Sequence, residues 1–346
     1  SDRNLDATLD DDEHAVTIRQ SGIHATGSPR DNLRERLAAV RIALEGIQNA
    51  AVGFTGSVSS YSPAIGRKKG ETALHDPEGS SFRHVSFDGR YEMGAADIFF
   101  EHSRMDKSGY ASIVGFMAHR RDIRAGIAAR YYSEEYWAYR SGAFSSFGET
   151  SGEKGVYGAL EIRIAGKTRI GISMDLARSL YRRRLAFMPC SRKRLRLTVE
   201  HPFSRTVGSI VSMRMTDDGE DNKRWNMLIK MNKKMPPFAD VLRLHLAWSG
   251  DGDTGGPFLE TGARLKGASL RLDGMVSYFD IPSYHTRYYR YEYNVPGRGM
   301  TAPVWGNGGS ACIVLGWKGI SLRYRYVDSD LMSNRREITL QADIVF

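Results

Sequence analysis

Arg336-Glu337-Ile338-Thr339-Leu340-Gln341-Ala342-Asp343-Ile344-Val345-Phe346 is the last stretch of the sequence, and every second residue in it, counting back from Phe346, is apolar. The residues between them are polar, except Val345. Because successive side chains of a β-strand point to opposite faces, this pattern predicts a strand with one apolar and one polar face. The strand also stops on an aromatic side chain, whereas the last residues of a soluble domain usually fray.

An alternating strand that ends on Phe is typical of the C-terminal signal of outer-membrane β-barrels. We therefore expect Leu340, Ala342, Ile344 and Phe346 to form a signal for the barrel-assembly machinery. In a membrane barrel the apolar face contacts lipid and the polar face lines the lumen.

The same period of two recurs along the chain, in about 18 segments of roughly ten residues, which is the length of a tilted membrane strand. In residues 40–45, for example, Val40, Ile42 and Leu44 alternate with Arg41 and Glu45. The segment 32–51 could also form an amphipathic helix, but its strict alternation favours a strand.

The connections between the segments alternate in length, as they do in outer-membrane barrels. Short turns are expected near Asn49, Gly94, Asp122, Gly166 and Gly319. Long polar connections are expected over Arg67–Ser80, Ser133–Glu153, Thr216–Lys223 and Pro296–Gly309.

Charged residues of both signs alternate with the apolar residues, and in a barrel they would line a wet lumen. Tyr and Trp gather at the segment ends, as they do at membrane interfaces. The candidates for lumen-facing charges are Arg41, Glu45, Glu161, Arg163, Arg169, Asp175, Arg194, Arg196, Glu200, Arg243, Arg271, Asp273, Arg323 and Arg325.

These patterns predict an all-β fold, an antiparallel transmembrane β-barrel of about 18 strands, within a range of about 16–20. We expect one barrel over residues 1–346, in which residues 1–35 form an acidic N-terminal segment that enters the barrel. A soluble β-sandwich or propeller also has alternating strands and is the competing fold.

Composition alone is typical of a soluble protein, because mean hydropathy is −0.41 and 26% of the 346 residues are charged. No run approaches the roughly 18–20 apolar residues of a membrane helix, which excludes a helical membrane protein but not a barrel. The net charge of +9 indicates either an acidic partner such as nucleic acid or a basic lumen with loops that face lipid phosphates. The densest basic patch combines residues 182–184 and 192–194.

Motifs for common catalytic sites are missing from the sequence, and we predict neither an enzyme nor a cofactor or metal site. Asp253-Thr254-Gly255 is similar to an aspartic-protease loop, but the second triplet that such a site needs is missing, which favours a turn. Neither Cys190 nor Cys312 belongs to a CxxC motif. The sequence leaves undecided whether the two form a disulfide.

Several runs carry a resemblance to a known family. They are Arg3–Asp6, Ser21–His24, Tyr131–Ser133, Tyr139–Ser145, Glu153–Tyr157, Phe279–Glu292 and Arg336–Gln341. Together they resemble the barrel region of the Gram-negative helix-hairpin-helix outer-membrane proteins, whose N-terminal part is similar to DNA-uptake competence proteins. The helix-hairpin-helix itself has no counterpart here, so the family's DNA-binding role falls on no residue of this sequence. The resemblance also implies that the chain is the C-terminal part of a longer protein.

The sequence therefore predicts a bacterial outer-membrane barrel that acts as a pore or as the membrane anchor of a surface assembly. The resemblance links it to DNA uptake, and the arginine-rich faces link it to the passage of anionic solutes. The expected partners are outer-membrane lipid, the barrel-assembly machinery, and DNA or an anionic solute. The alternative from another class is a soluble β-rich binding protein with a basic surface for an acidic partner.

Overall fold

The structure is a computed structural model of the chain. It describes residues 2–5, 7–9, 12–18, 32–67, 75–106, 109–138, 142–147, 150–181, 190–219, 223–235, 239–252, 254–267, 269–295 and 300–342. Regular structure within these ranges is almost entirely β-strand. In this part of the chain no helix is long and apolar enough to cross a membrane.

The strands are numbered β1 to β22 in chain order. Their bounds are β1 Asp2–Leu5, β2 Ala7–Leu9, β3 Ala15–Ile18, β4 Leu33–Ile47, β5 Ala50–Ile65, β6 Gly79–Glu92, β7 Ala96–Met105, β8 Tyr110–Arg120, β9 Ile123–Tyr132, β10 Glu153–Ile164, β11 Thr168–Ser179, β12 Ser191–Pro202, β13 Val207–Asp217, β14 Lys223–Met235, β15 Ala239–Asp251, β16 Thr254–Lys266, β17 Leu270–Ile281, β18 Tyr288–Glu292, β19 Met300–Val304, β20 Gly306–Trp317, β21 Ile320–Ser329 and β22 Arg335–Ala342.

Twenty of these strands belong to one hydrogen-bonded sheet. From β4 to β17 each strand pairs with the next one in the chain, and the pairing then continues from β17 to β20, β21 and β22. The two short strands β18 and β19 form a separate antiparallel hairpin that is inserted between β17 and β20. The predicted fold class is confirmed: in the described part of the chain the fold is all-β, with mostly antiparallel strands in one large sheet, as in a β-barrel.

Tight turns connect the strands at one end, as predicted. Gln48 and Asn49, between β4 and β5, have φ values of 46° and 67°. Ala165 and Gly166, between β10 and β11, have φ values of 48° and 68°. Two successive residues with positive φ are the signature of a type I′ turn, whose twist matches that of the strands it joins.

Long connections occur at the other end, over residues 66–78, 133–152, 180–190 and 282–305. The predicted connection Pro296–Gly309 is wrong in its bounds. Residues 306–309 already belong to β20, where Gly306 pairs with Ile281 of β17, and the connection begins earlier, after Ile281. The glycine-rich start of β20 conceals the strand, because glycine has no side chain with which to display alternation.

The chain divides into two compact units, each of which is described by itself. The first unit comprises Ser1–Ala159 and Asp175–Arg192, and the second comprises Leu160–Met174 and Lys193–Phe346. In both units the sheet has an apolar face, defined by the exposed large hydrophobic residues of its strands, and a polar face, on which the alternating residues lie.

Burial is inverted relative to a soluble protein. On β21 the apolar-face residues Leu322 and Tyr324 are 42% and 39% exposed, whereas Arg323 between them is 1% exposed. On β9 Ile127 is 55% exposed and Arg130 is 4% exposed. Arginine is almost never fully buried unless it is paired, so the polar faces must carry partners for these charges.

A small apolar cluster lies on the polar face of each unit, beside the long connections. In the first unit Tyr61, Phe82 and Tyr132 form such a cluster with Tyr136 from the connection 133–152. In the second unit Phe258, Phe279, Ile281 and Val327 form one with Val304 of the inserted hairpin. The described parts of the connections 133–152 and 282–305 therefore fold back onto the polar face and bury part of it.

Candidate functional site: ion clusters on the polar face

The charged residues that the sequence proposed as lumen-facing all occupy strand positions that alternate with the apolar-face residues. Several of them form ion pairs. Arg41 binds Asp88 of β6 at 2.6 Å, and Arg169 binds Glu200 of β12 at 3.2 Å. Arg271 contacts Asp273, two positions along the same strand.

The first buried cluster, called the Arg130 cluster, comprises Arg130, Glu153, Asp175 and Ser146. Arg130 Nε donates to Glu153 Oε1 at 2.6 Å, and Arg130 Nη2 lies 2.9 Å from Asp175 Oδ1. Three neighbouring strands, β9, β10 and β11, supply these side chains. One guanidinium therefore bridges two carboxylates, and all three groups are withdrawn from water.

The connection 133–152 is fastened to this cluster through its own polar groups. The backbone N–H of Ser146 donates to Glu153 Oε1 at 3.0 Å, and the Ser145 hydroxyl donates to Glu153 Oε2 at 2.6 Å. The Ser146 hydroxyl donates to Asp175, and Arg192 Nη1 donates to the Ser146 carbonyl at 2.7 Å. Hydrogen bonds to charged groups are about twice as strong as neutral ones, so this connection is held firmly against the sheet.

Aromatic residues hold the same connection at a second place. Tyr136 OH donates to Ser103 Oγ at 3.0 Å, and its ring is buried. Trp137 lies 4.8 Å from Phe82, centroid to centroid, and its carbonyl oxygen is 2.7 Å from His84 Nε2. Burial raises the pKa of Tyr136, because an ionised phenolate would lose its hydration there.

The second buried cluster, called the Glu292 cluster, has one carboxylate and several guanidiniums, the opposite of the Arg130 cluster. Glu292, at the end of β18 in the inserted hairpin, accepts from Arg290, from Arg323 Nη2 at 2.8 Å and from Arg325 Nε at 2.7 Å. Glu292 is fully buried, and Arg290 and Arg323 are nearly so. One carboxylate thus binds three guanidiniums, two of which belong to β21 of the main sheet.

Further contacts fix the hairpin to the polar face. Arg290 also donates to the hydroxyls of Ser277 and Ser310, and Arg323 Nε donates to the carbonyl of Tyr293 at 3.1 Å. The Tyr288 ring stacks on Phe258 with a centroid separation of 4.4 Å. These contacts surround the hairpin with β16, β17, β20 and β21.

The electrostatics of the hairpin follow from this enclosure. Burial alone would raise the pKa of Glu292, but the hydrogen bond from Arg325 and the charges of Arg290 and Arg325 lower it below the ordinary value. Burial raises the pKa of Tyr288 to about 12. Glu292 is therefore held as a carboxylate and Tyr288 as a neutral phenol.

The structure also locates most of the other residues that the sequence analysis singled out. Leu340 and Ala342 lie on β22 and are exposed, whereas Ile344, Phe346 and residues 182–184 of the basic patch lie outside the described residues.

Cys190 and Cys312 are both free thiols, and Cys312 is buried beside the Tyr293 carbonyl. Thr254 and Gly255 of the Asp-Thr-Gly triplet begin β16, whereas Asp253 lies outside the described residues. In the described ranges no group of three or more His, Cys, Asp or Glu side chains is arranged to hold a metal ion.

The sequence reasoning identified Asp175, Arg323 and Arg325 but missed Arg130, Glu153, Arg290 and Glu292, the other charged members of the two clusters. Arg130 and Glu153 could have been found from the alternation along their strands, because each occupies a position whose side chain points away from the apolar face. Glu292 lies in an aromatic-rich connection, and no local pattern marks it.

Neither a protein-family model nor a curated protein matches this chain. Among solved structures it is similar to the siderophore receptor PirA from Acinetobacter baumannii, with 7% identity, a TM-score of 0.47, and coverage of 85% of this chain and 59% of that one. A ferric enterobactin receptor, PfeA, from Pseudomonas aeruginosa gives 8% identity, a TM-score of 0.49 and coverage of 85% and 59%. A substituted porin of Rh. blastica gives 10% identity, a TM-score of 0.36 and coverage of 76% and 90%. The chain thus spans about three-fifths of the length of these receptors.

Proposed function

We propose that this chain is a transmembrane β-barrel of the bacterial outer membrane and that its polar face lines a passage for anionic solutes. The observation that carries this proposal is the inverted burial of the strands. Large apolar side chains are exposed along strand after strand, while Arg130, Glu153, Arg323 and Glu292 are buried on the opposite face. In water this arrangement would expose the apolar face at a high cost, whereas in a bilayer the same face is solvated by hydrocarbon.

The passage of anionic solutes is the role that we propose for the polar face. The described parts of the connections 133–152 and 282–305 fold onto this face and are held by buried ion clusters, as expected for segments that narrow a lumen without closing it completely. A role as the membrane anchor of a surface assembly is the alternative, and it would need no conducting lumen. The link to DNA uptake rests on the family resemblance and stays a prediction.

Adjacent residues of β6 provide a matched test of membrane insertion. Phe87 is exposed on the apolar face, and Ser86 is half-buried on the polar face, where it lines a cavity of about 740 Å³ with room for a longer side chain. We expect Phe87→Arg to oppose insertion by about 2–4 kcal/mol if the position lies near the bilayer midplane, and Ser86→Arg to be tolerated.

The measurement is the folded fraction recovered in lipid vesicles, read from the shift in gel mobility between unheated and boiled samples. Equal recovery of the two variants, or a wild-type chain that stays monodisperse without detergent, would exclude a lipid-facing apolar surface. Planar-bilayer recordings under a salt gradient then test passage. We expect channels with a reversal potential of the sign for anion preference, and a folded protein without conductance would leave the anchor role.

A further inference from the structure

A cavity of about 610 Å³ opens on the polar face of the second unit, where β13, β14 and β15 meet the turn 203–206. Its volume lies within the range of about 300–1,000 Å³ that is usual for small-molecule sites. Tyr291 of the inserted hairpin supplies one wall, and Asn232 and His245 lie among the strand residues that line it. The cavity is therefore bounded by the sheet, by a turn and by the hairpin.

Among the described residues that line this cavity, four carry cationic side chains and none carries a carboxylate. They are Lys230 and Lys234 on β14, Arg243 on β15 and Arg205 on the turn. As far as the structure describes the chain, none of the four forms an ion pair with a carboxylate. Arg243 instead lies over the Tyr293 ring, with its Cζ 5.3 Å from the centroid. Glu260, which contacts His245 at 3.1 Å, does not line the cavity.

The strand register places these cations within reach of one ligand. Lys230 is the cross-strand partner of His245, and Asn232 is the partner of Arg243. Residues two apart on one face of a strand are separated by about 6–7 Å. The turn is tied to the same strand, because the backbone N–H of Lys234 donates to the Thr206 carbonyl at 2.8 Å.

Elsewhere on the polar face several arginines bind carboxylates. Arg264 binds Asp273 at 2.8 Å and Arg169 binds Glu200 at 3.2 Å. Half-buried cations without counter-charges are unfavourable, and a bound anion would offset that cost. Lysine ammonium groups and an arginine fork are the usual ligands of phosphate oxygens, and an aromatic wall suits an organic part.

We infer that this cavity binds a small organic molecule that carries two or more phosphate groups. The inference rests on the proposed function and names the class of solute that the passage would select. Lys230 and Arg243 are the half-buried members of the set and supply the main contacts, while Arg205 and Lys234 lie exposed at the rim.

Tripolyphosphate is a suitable probe, titrated calorimetrically into the full chain in a non-ionic detergent at low salt. We expect saturable binding of the wild-type chain that weakens as salt is raised. The double variant Lys230→Gln/Arg243→Gln should bind at least about tenfold more weakly, which corresponds to the loss of one or more charge-assisted contacts. Lys233→Gln is the matched control, because Lys233 lies on the same strand but on the opposite face, and it should leave the affinity unchanged.

The outcomes separate this site from the proposed passage. Absence of binding by the wild-type chain, or equal affinity of the double variant and Lys233→Gln, overturns the site even if anion conductance is intact. Binding that depends on Lys230 and Arg243 in a chain without conductance supports the site and overturns the passage. Retained gel-mobility shifts in all variants establish that they are folded before the affinities are compared.

Discussion

In the first unit one guanidinium lies between two carboxylates, whereas in the second unit one carboxylate lies among three guanidiniums. Both clusters have the same structural role, because each fixes a long connection to the polar face of the sheet. They differ in what remains when the central group is lost. Without Arg130, Glu153 and Asp175 still accept hydrogen bonds from Ser145 and Ser146. Without Glu292, three guanidiniums remain close together, and an arginine in a protein cannot lose its charge.

Removal of the single carboxylate should have the largest effect. Glu292→Gln leaves Arg290, Arg323 and Arg325 facing one another without a central anion. Breaking a buried ion pair by removing one partner costs about 3–5 kcal/mol, and we expect a loss in this range in the free energy of unfolding. Denaturant titration in detergent, followed by the loss of strand circular dichroism, measures it.

Glu337→Gln is the control for this variant. Glu337 also binds Arg323, at 3.2 Å, but its side chain is 46% exposed. Exposed pairs contribute about 0–1 kcal/mol, so its loss should be small. If the two variants lost equal stability, burial would not be the source of the strength of the Glu292 cluster.

Removal of the single guanidinium should have a smaller effect. Arg130→Met keeps an unbranched side chain and leaves Glu153 and Asp175 buried without their common cation. We expect a loss of about 2–3 kcal/mol in the free energy of unfolding, because both carboxylates keep hydrogen bonds from the connection 133–152. The same denaturant titration measures it. A loss at least as large as that of Glu292→Gln would contradict the difference drawn between the clusters.

The sequence allowed the sheet and part of each cluster to be predicted. Alternation placed Asp175, Arg323 and Arg325 on the polar face, because phase within a strand is a local property. It could not supply the partner of the arginines, since Glu292 is 31 positions from Arg323 and lies in a connection with no period of its own. The inward fold of the connections depends on those long-range ion contacts and on aromatic packing such as that of Tyr288 on Phe258. Such contacts are specified by tertiary structure and not by a repeating pattern.

Acidification should have the smallest effect and should act on the inserted hairpin through Glu292. The pKa of Glu292 lies below its ordinary value in the folded chain. A depressed carboxyl pKa contributes stability that is fully present above the unfolded value of about 4.3 and is lost as the pH falls through the lowered folded value. Each unit of that depression is equivalent to about 1.4 kcal/mol. Hydrogen exchange of the amides of residues 288–292 and 300–304, corrected for the intrinsic rate at each pH, should therefore lose protection below about pH 4 in the wild-type chain. Glu292→Gln should start with lower protection and show no step in that window, whereas an equal step in both chains would assign the acid response to other carboxylates.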